Sequence, residues 1–443
     1  MIQDEVFIWK SGLLSHPVTY LFHLGETGAS GSDLGALGAK RLVIADCRSI
    51  SSSASADAVD AALGQKKPVL LLCPHTDTLE ALQGHAPLIP QVPVAALLIS
   101  PRAEGPTGVD VWSLQYSAVP VADGTVSAPS AAAEKEQAPQ AAEAPIECAC
   151  SDAMDLLGAF TSSEAVNTFK MAVEHAMEGR SSVTADPPPT GVVYFLDTFN
   201  SVVPFTYNHG VSNGAGSATF TWTVWGFLSQ TASSNTQYLS VEGRISVNAG
   251  SLHSNDQCDR GFGNAYVKGT LAPPSAMKAQ AFVPVSGNGN FTGSVTIPIS
   301  YKNPLGGYSI WNYTSSMNNS VDSWSCKSIS SGANLGAQWW MNKPCDGSNV
   351  PDKWKDAFST WGHVGDLTGA SSGSLDVNSI SAWFTQQMLN GYQVVTGNFG
   401  WEGARFWGSS CSPGMYWKIN ASWQWWYNVS PGFTVNFSRI YPS

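Results

Sequence analysis

From residue 191 onward, large apolar side chains and small polar ones alternate with a period of two, in one stretch after another. Phe220, Trp222 and Val224 alternate with Thr219, Thr221 and Thr223. Phe291, Val295, Ile297, Ile299 and Tyr301 alternate with Thr292, Ser294, Thr296 and Ser300. Near the end, Trp417, Ile419, Trp423, Trp425 and Tyr427 share one parity against Lys418, Asn420, Ser422 and Gln424. Successive side chains of a strand point to opposite faces, so the pattern calls for antiparallel strands with one apolar and one polar face. Two helical interruptions are expected, around Asp352 to Phe358 and around Ser379 to Leu389.

The first part of the chain follows a different rule. Arg41 to Cys47, Pro68 to Cys73 and Val94 to Ser100 are short, nearly continuous apolar runs. Such runs suit strands buried on both faces. Ala54 to Leu63 and Thr76 to Leu82 lie between them with helical spacing. The β-α-β-α-β order predicts a small parallel sheet with helices packed on it. From Val119 to Ile146 the composition turns to Ala, Pro, Glu, Gln and Ser, which buries too little apolar surface to offset chain entropy. A helix from Ser163 to Glu178 follows, and Pro187-Pro188-Pro189 stops it. The expected architecture is therefore multidomain, α/β plus all-β. A small α/β domain over 1–118 is joined by a linker with a helix over 119–190 to a large antiparallel β domain over 191–443.

Only 12% of the residues are charged, against about a quarter in an ordinary soluble chain. Polarity here comes from hydroxyls and amides. The net charge of −11 excludes a nucleic-acid partner, because phosphate binding needs a basic surface. No apolar run approaches the roughly 20 residues of a transmembrane helix. The acidic start, Met1-Ile2-Gln3-Asp4-Glu5, is unlike a standard secretory signal, so export by another route or release by lysis is expected. Of the eight cysteines, Cys258, Cys326, Cys345 and Cys411 lie in the β domain, where two disulfides are possible. Spacing leaves all three pairings open.

Two features bear on function. Ser201 to Val241 and Ala279 to Tyr301 contain no Asp, Glu, Lys or Arg. A charge on the lipid face of a membrane strand costs about 2–4 kcal/mol at mid-bilayer, so uncharged amphipathic strands suit insertion. Phe220, Trp222, Val224, Phe291, Val295, Ile297 and Ile299 are the candidate membrane-inserting residues; an ordinary sandwich strand is the competing reading. The second feature is aromatic: Trp401, Trp407, Trp417, Trp423, Trp425, Trp426 and Tyr427 crowd the last 45 residues or so. Indoles favour bilayer interfaces and stack on sugars, so these residues are candidates for membrane or glycan binding, with a large aromatic core as the alternative.

Tyr266 to Tyr301 resembles the insertion-module region of aerolysin-type β-pore-forming toxins, in which a strand runs into a Pro-Pro-Ser turn and then into alternating strands. Pro273, Pro274 and Ser275 match the turn, and Phe291 to Tyr301 matches the strand after it. The layout is also similar to that of cholera-type cytolysins and leukocidins, with a removable N-terminal domain, a cleavable linker and an aromatic rim. The resemblance implies a soluble protoxin that assembles with copies of itself on a target membrane.

Catalytic and metal motifs are weak by comparison. Gly369-Ala370-Ser371-Ser372-Gly373 fits G-x-S-x-G, but no histidine follows His363, so the usual triad order is impossible. His253, Asp256 and Cys258 match no established zinc spacing. The expected function is a non-enzymatic pore former without metal or cofactor, acting on membrane lipid or cell-surface glycan as a homo-oligomer. A lectin-like adhesin and a secreted hydrolase are the alternatives.

Overall fold

In the computed structural model, residues 21–23, 42–47, 51–102, 108–116, 118, 164–179, 186–208, 213–248, 259–341, 361–362, 373–408 and 417–442 are described. The N-terminal part holds β1 (Leu21–His23), β2 (Leu42–Asp46), α1 (Ser52–Gly64), β3 (Val69–Leu72), α2 (Thr76–Ala81), β4 (Leu88–Pro90), β5 (Ala96–Pro101) and β6 (Val109–Leu114). Helix α1 starts where Ser51 accepts a hydrogen bond from the Ala54 amide at 3.2 Å, and it buries Ala56, Val59 and Ala62 against the sheet. β2 and β3 are parallel, as the apolar runs predict, and β1 adds to them in parallel. β5, however, runs antiparallel to β3, and β6 antiparallel to β5. The six residues of α2 span only about 9 Å, too short to return the chain for a parallel crossover. The chain instead passes through β4 and re-enters from the other end.

Helix α3 (Glu164–Met177) follows. It lays Ala165, Phe169, Ala172, Val173 and Ala176, spaced on one helical face, over the second side of that sheet. Then come the long strands: β7 (Val193–Asn208), β8 (Asn213–Gln230), β9 (Asn235–Asn248), β10 (Asp259–Ala272), β11 (Lys278–Val283), β12 (Ser286–Lys302), β13 (Tyr308–Ser328) and β14 (Leu335–Met341). β15 (Trp361–Gly362), β16 (Ser374–Thr385), β17 (Tyr392–Gly408), β18 (Trp417–Val429), β19 (Phe433–Asn436) and a closing 3-10 turn (Phe437–Ile440) complete the chain. The molecule is predominantly β, with two large, mainly antiparallel sheets. The helix expected around Ser379 to Leu389 is corrected: Ser379 to Thr385 belongs to β16. Ile380, Ala382 and Trp383 are all buried, and a strand covered on both faces loses the alternation that marks it in sequence. The helix expected at Asp352 to Phe358 lies outside the described residues.

The first sheet has the order β1-β2-β3-β5-β6-β7-β8-β9-β16-β11, and so runs without a break from the N-terminal part into the β region. The joint is a parallel ladder, Asp110↔Thr198 to Leu114↔Val202. Buried polar groups brace it. Arg102 donates twice to Asp110 Oδ1 at 2.9 Å, Thr198 Oγ1 donates to the same oxygen, and the Val109 amide donates to Asp197 Oδ1 at 3.0 Å. Arg439 closes the other oxygen of Asp197. A second joint pairs β4 with β19, Leu88↔Val435 to Pro90↔Phe433. The second sheet runs β12-β13-β14-β10-β17-β18-β15. Between the sheets lies an aromatic core: Trp222 sits 5.7 Å from Phe199, 5.5 Å from Phe399 and 5.6 Å from Phe433, ring centre to ring centre.

Candidate functional site: a tucked amphipathic hairpin

Between residues 279 and 321 the chain carries one charge, Lys302. Strands β12 and β13 pair there in unbroken register from Asn290↔Ser320 to Lys302↔Tyr308. Thirteen residues per arm exceed the 9–11 that a tilted strand needs to cross a bilayer. β13 meets β14 only from Trp324 to Ser328, and β12 ends the sheet order. Among the described residues, the distal hairpin therefore has no ladder partner beyond its own two arms. Side-chain packing and a few polar contacts hold it down.

The two faces of the hairpin differ in chemistry. Phe291, Val295, Ile297, Ile299, Tyr313, Met317 and Val321 are buried on one face. Thr292, Ser294, Thr296, Asn312, Thr314, Ser316, Asn318 and Ser320 are exposed on the other, where the Thr296 and Thr314 hydroxyls meet at 3.1 Å. The turn is held by Asn303, whose Oδ1 accepts from the Leu305 amide at 3.0 Å and the Gly307 amide at 3.1 Å. It presents Leu305, 96% exposed, with Ile310 at 72% close behind. An exposed leucine and isoleucine at a tip whose one charge is Lys302 are a largely apolar leading edge.

The bed beneath the hairpin is partly polar. Tyr313 packs 4.8 Å from Phe227 and 5.5 Å from Trp225, ring to ring, while its hydroxyl donates to Glu242 Oε1 at 2.7 Å. Burial and the Glu242 charge together push the Tyr313 phenol far above its ordinary value. Asn319 Nδ2 donates to the Asp376 carbonyl at 3.1 Å, and the Ser300 amide to Ser229 Oγ at 3.0 Å. Glu242 shares its sheet face with Thr223 and Arg244 with Thr221, by register and parity, and Arg244 pairs with Asp376 at 2.9 Å. The bed therefore mixes these polar groups with apolar ones: buried Ile380 lies opposite Glu242 in the ladder, and Val283 packs under Gly293 of the hairpin.

The other expected site residues fall differently. Phe220, Trp222 and Val224 are buried in β8, at the centre of the first sheet and locked by ladders to β7 and β9. β8 is a core strand in this fold; its apolar face, with Phe199 stacked alongside Trp222, packs against Phe399 and Phe433. Trp401 and Tyr427 are likewise buried, stacked 5.0 Å apart against Phe205, and form core rather than surface here. Trp407, Trp417, Trp423, Trp425 and Trp426 fall on the backbones of β17 and β18, with side chains outside the described residues. Pro273, Pro274 and Ser275 occupy the turn from β10 to β11, closed by the Met277 amide on the Pro274 carbonyl at 2.9 Å. Cys326 is a buried free thiol, which corrects its place in a possible disulfide: its neighbour across the ladder is Trp339. Cys258, Cys345 and Cys411 lie outside the described residues, as do Gly369 to Ser372 of the G-x-S-x-G stretch and the His253, Asp256, Cys258 trio.

The second arm of the hairpin is what sequence reasoning missed. Trp311, Tyr313, Met317 and Val321 share a parity, but Ser315 and Asn319 interrupt it and Ile310 contradicts it. Glu402 was not singled out for its burial either. It lies on β17 opposite Tyr266, whose hydroxyl donates to Gln338 at 2.9 Å, and burial pushes the Glu402 carboxyl up to about 8.

No protein-family model matches this chain, and no curated protein does. Among solved structures it is similar to Clostridium perfringens delta-toxin, at 11% identity and a TM-score of 0.38, over 53% of this chain and 94% of that one. It is also similar to a structure described as "Pore forming protein", at 12% identity and a TM-score of 0.35, over 55% of this chain and 93% of that one. Likenesses this distant assign no activity to this chain.

Proposed function

We propose that this protein forms membrane pores, with the β12–β13 hairpin as its inserting element. The observation that carries the reading is the combination of a two-faced hairpin of spanning length, whose one charge is Lys302 beside the turn, with the lack, among the described residues, of a ladder tying its distal half to the sheet. In lipid no open strand edge is tolerated, so hairpins from several copies must close on one another into a barrel. Phe291, Val295, Ile297 and Ile299 then face hydrocarbon, and the Thr, Ser and Asn face lines water. The N-terminal part holds the soluble form, proteolysis between residues 120 and 190 activates it, and the Trp-rich strands contact lipid or a surface glycan.

The test is dye release from liposomes before and after limited proteolysis, with and without a tether on the hairpin. Ser229→Cys together with Ser300→Cys sets two thiols at the place where the Ser300 amide donates to the Ser229 hydroxyl, to be joined by a bis-maleimide with a cleavable disulfide spacer. Leakage by the double variant that stops on cross-linking and returns on reduction supports the reading. Liposome or glycan binding without leakage points to a lectin-like adhesin instead, and leakage that ignores the tether removes the hairpin from the mechanism.

A further inference from the structure

The segment entering β7 crosses the distal end of the hairpin. Asp186 and Pro187 are exposed, Pro188 and Val192 are buried, and the Val192 amide donates to the Pro189 carbonyl at 3.2 Å, which makes a short turn. Gly191 sits in the left-handed region at φ +100°, where a side chain is strained. A β-carbon there would lie 2.7 Å from the Lys302 carbonyl oxygen and 3.2 Å from the Tyr301 ring. The backbone at Gly191 is thus pressed on the hairpin just before its turn. β7 itself begins opposite Leu228, next to the Ser229 hydroxyl that holds Ser300.

We infer that Asp186–Val192 is a strap that keeps the hairpin tucked, and that Gly191 is the position that lets it close. The inference rests on the reading of the hairpin as a mobile element. Three proline rings stiffen the approach, so little entropy is lost in holding the strap down. The strap lies at the end of the interval where activating cleavage is proposed, and its exposed Asp186, Pro187 and Thr190 are accessible to a protease. A cut there leaves Val192 attached to β7 but frees the chain that presses on Tyr301 and Lys302. Cleavage thereby acts on the hairpin directly.

Hydrogen exchange on the full-length protein, read by mass spectrometry over residues 290–320, tests the strap without requiring a pore. Gly191→Ala should speed exchange across the hairpin about tenfold while leaving β8 and β9 protected, because only local opening becomes easier. Tyr301→Ala removes the contact from the hairpin side and should act in the same direction if Gly191→Ala fails to fold. Unchanged hairpin exchange in a folded variant, with faster exchange confined to residues 186–192, overturns the strap. Dye release by the wild type alongside that result would leave the pore reading standing. Faster hairpin exchange in a protein that never leaks dye would keep the strap and sink the pore.

Discussion

Tyr313 and Glu402 are each caught between burial and charge, with opposite consequences. The Tyr313 hydroxyl is satisfied by a partly exposed carboxylate, a charge-assisted bond that spans the hairpin and its bed. Tyr313→Phe removes that bond while keeping the ring contacts. Loss of a hydrogen bond to a charged group predicts about 1.5–3 kcal/mol of lost stability, measured by denaturant unfolding. Glu402 behaves differently, since burial raises its carboxyl to about 8 from the ordinary 4.5. Between those values the folded state holds a proton that the unfolded state has released, so stability falls as pH rises through that window. Below pH 4.5 both states are protonated and the penalty vanishes. Glu402→Gln should flatten the decline and raise the melting temperature at pH 8 relative to the wild type. An unchanged pH profile would show that the carboxyl ionises freely in the fold.

At the scale of the element, two strands with the same alternation, uncharged but for Lys302 at the end of β12, meet different fates. β8 and β12 both set aromatic or β-branched residues against hydroxyls, and both read as amphipathic strands in sequence. In the fold, β8 is paired on both edges while β12 is paired on one. Trp222→Ala empties a fully buried site and should cost about 3–5 kcal/mol, seen as a lower denaturant midpoint. Thr296→Val, on the exposed hairpin face, should change stability by less than about 0.5 kcal/mol. Periodicity states that a strand has two faces; it does not state what covers them. That is why the two-faced character of Phe291 to Tyr301 and of Phe220 to Val224 was legible from their residues, whereas the burial of the latter between the sheets was left open against insertion. The buried positions of Trp401 and Tyr427 were open in the sequence for the same reason, because an aromatic cluster suits a core as well as an interface.

At the scale of the molecule, the sheet crosses the boundary that composition draws. The short buried strands of the N-terminal part give way to long strands from Val193 onward. Their fusion was not legible, since strand pairing between segments some 90 residues apart leaves no local mark in sequence. The fused seam buries Arg102 with Asp110 and Asp197 with Val109, and a broken buried pair of this kind costs about 3–5 kcal/mol. Cutting the linker between residues 120 and 160 should therefore leave both pieces together. Gel filtration would show one peak, and a denaturing gel of that peak two bands. Separate elution of the fragments would show that the seam is weaker than its buried pairs imply.

The second half of the molecule cannot then be produced as a stand-alone cassette. Translated from Asp186 onward, it would present Thr198 to Val202 and Phe433 to Val435 with raw amide and carbonyl rows where β6 and β4 once lay. Bare strand margins recruit whatever extended peptide is nearby, and in a crowded cell that is another copy. Such a truncation belongs in inclusion bodies unless residues 1–118 are supplied alongside it.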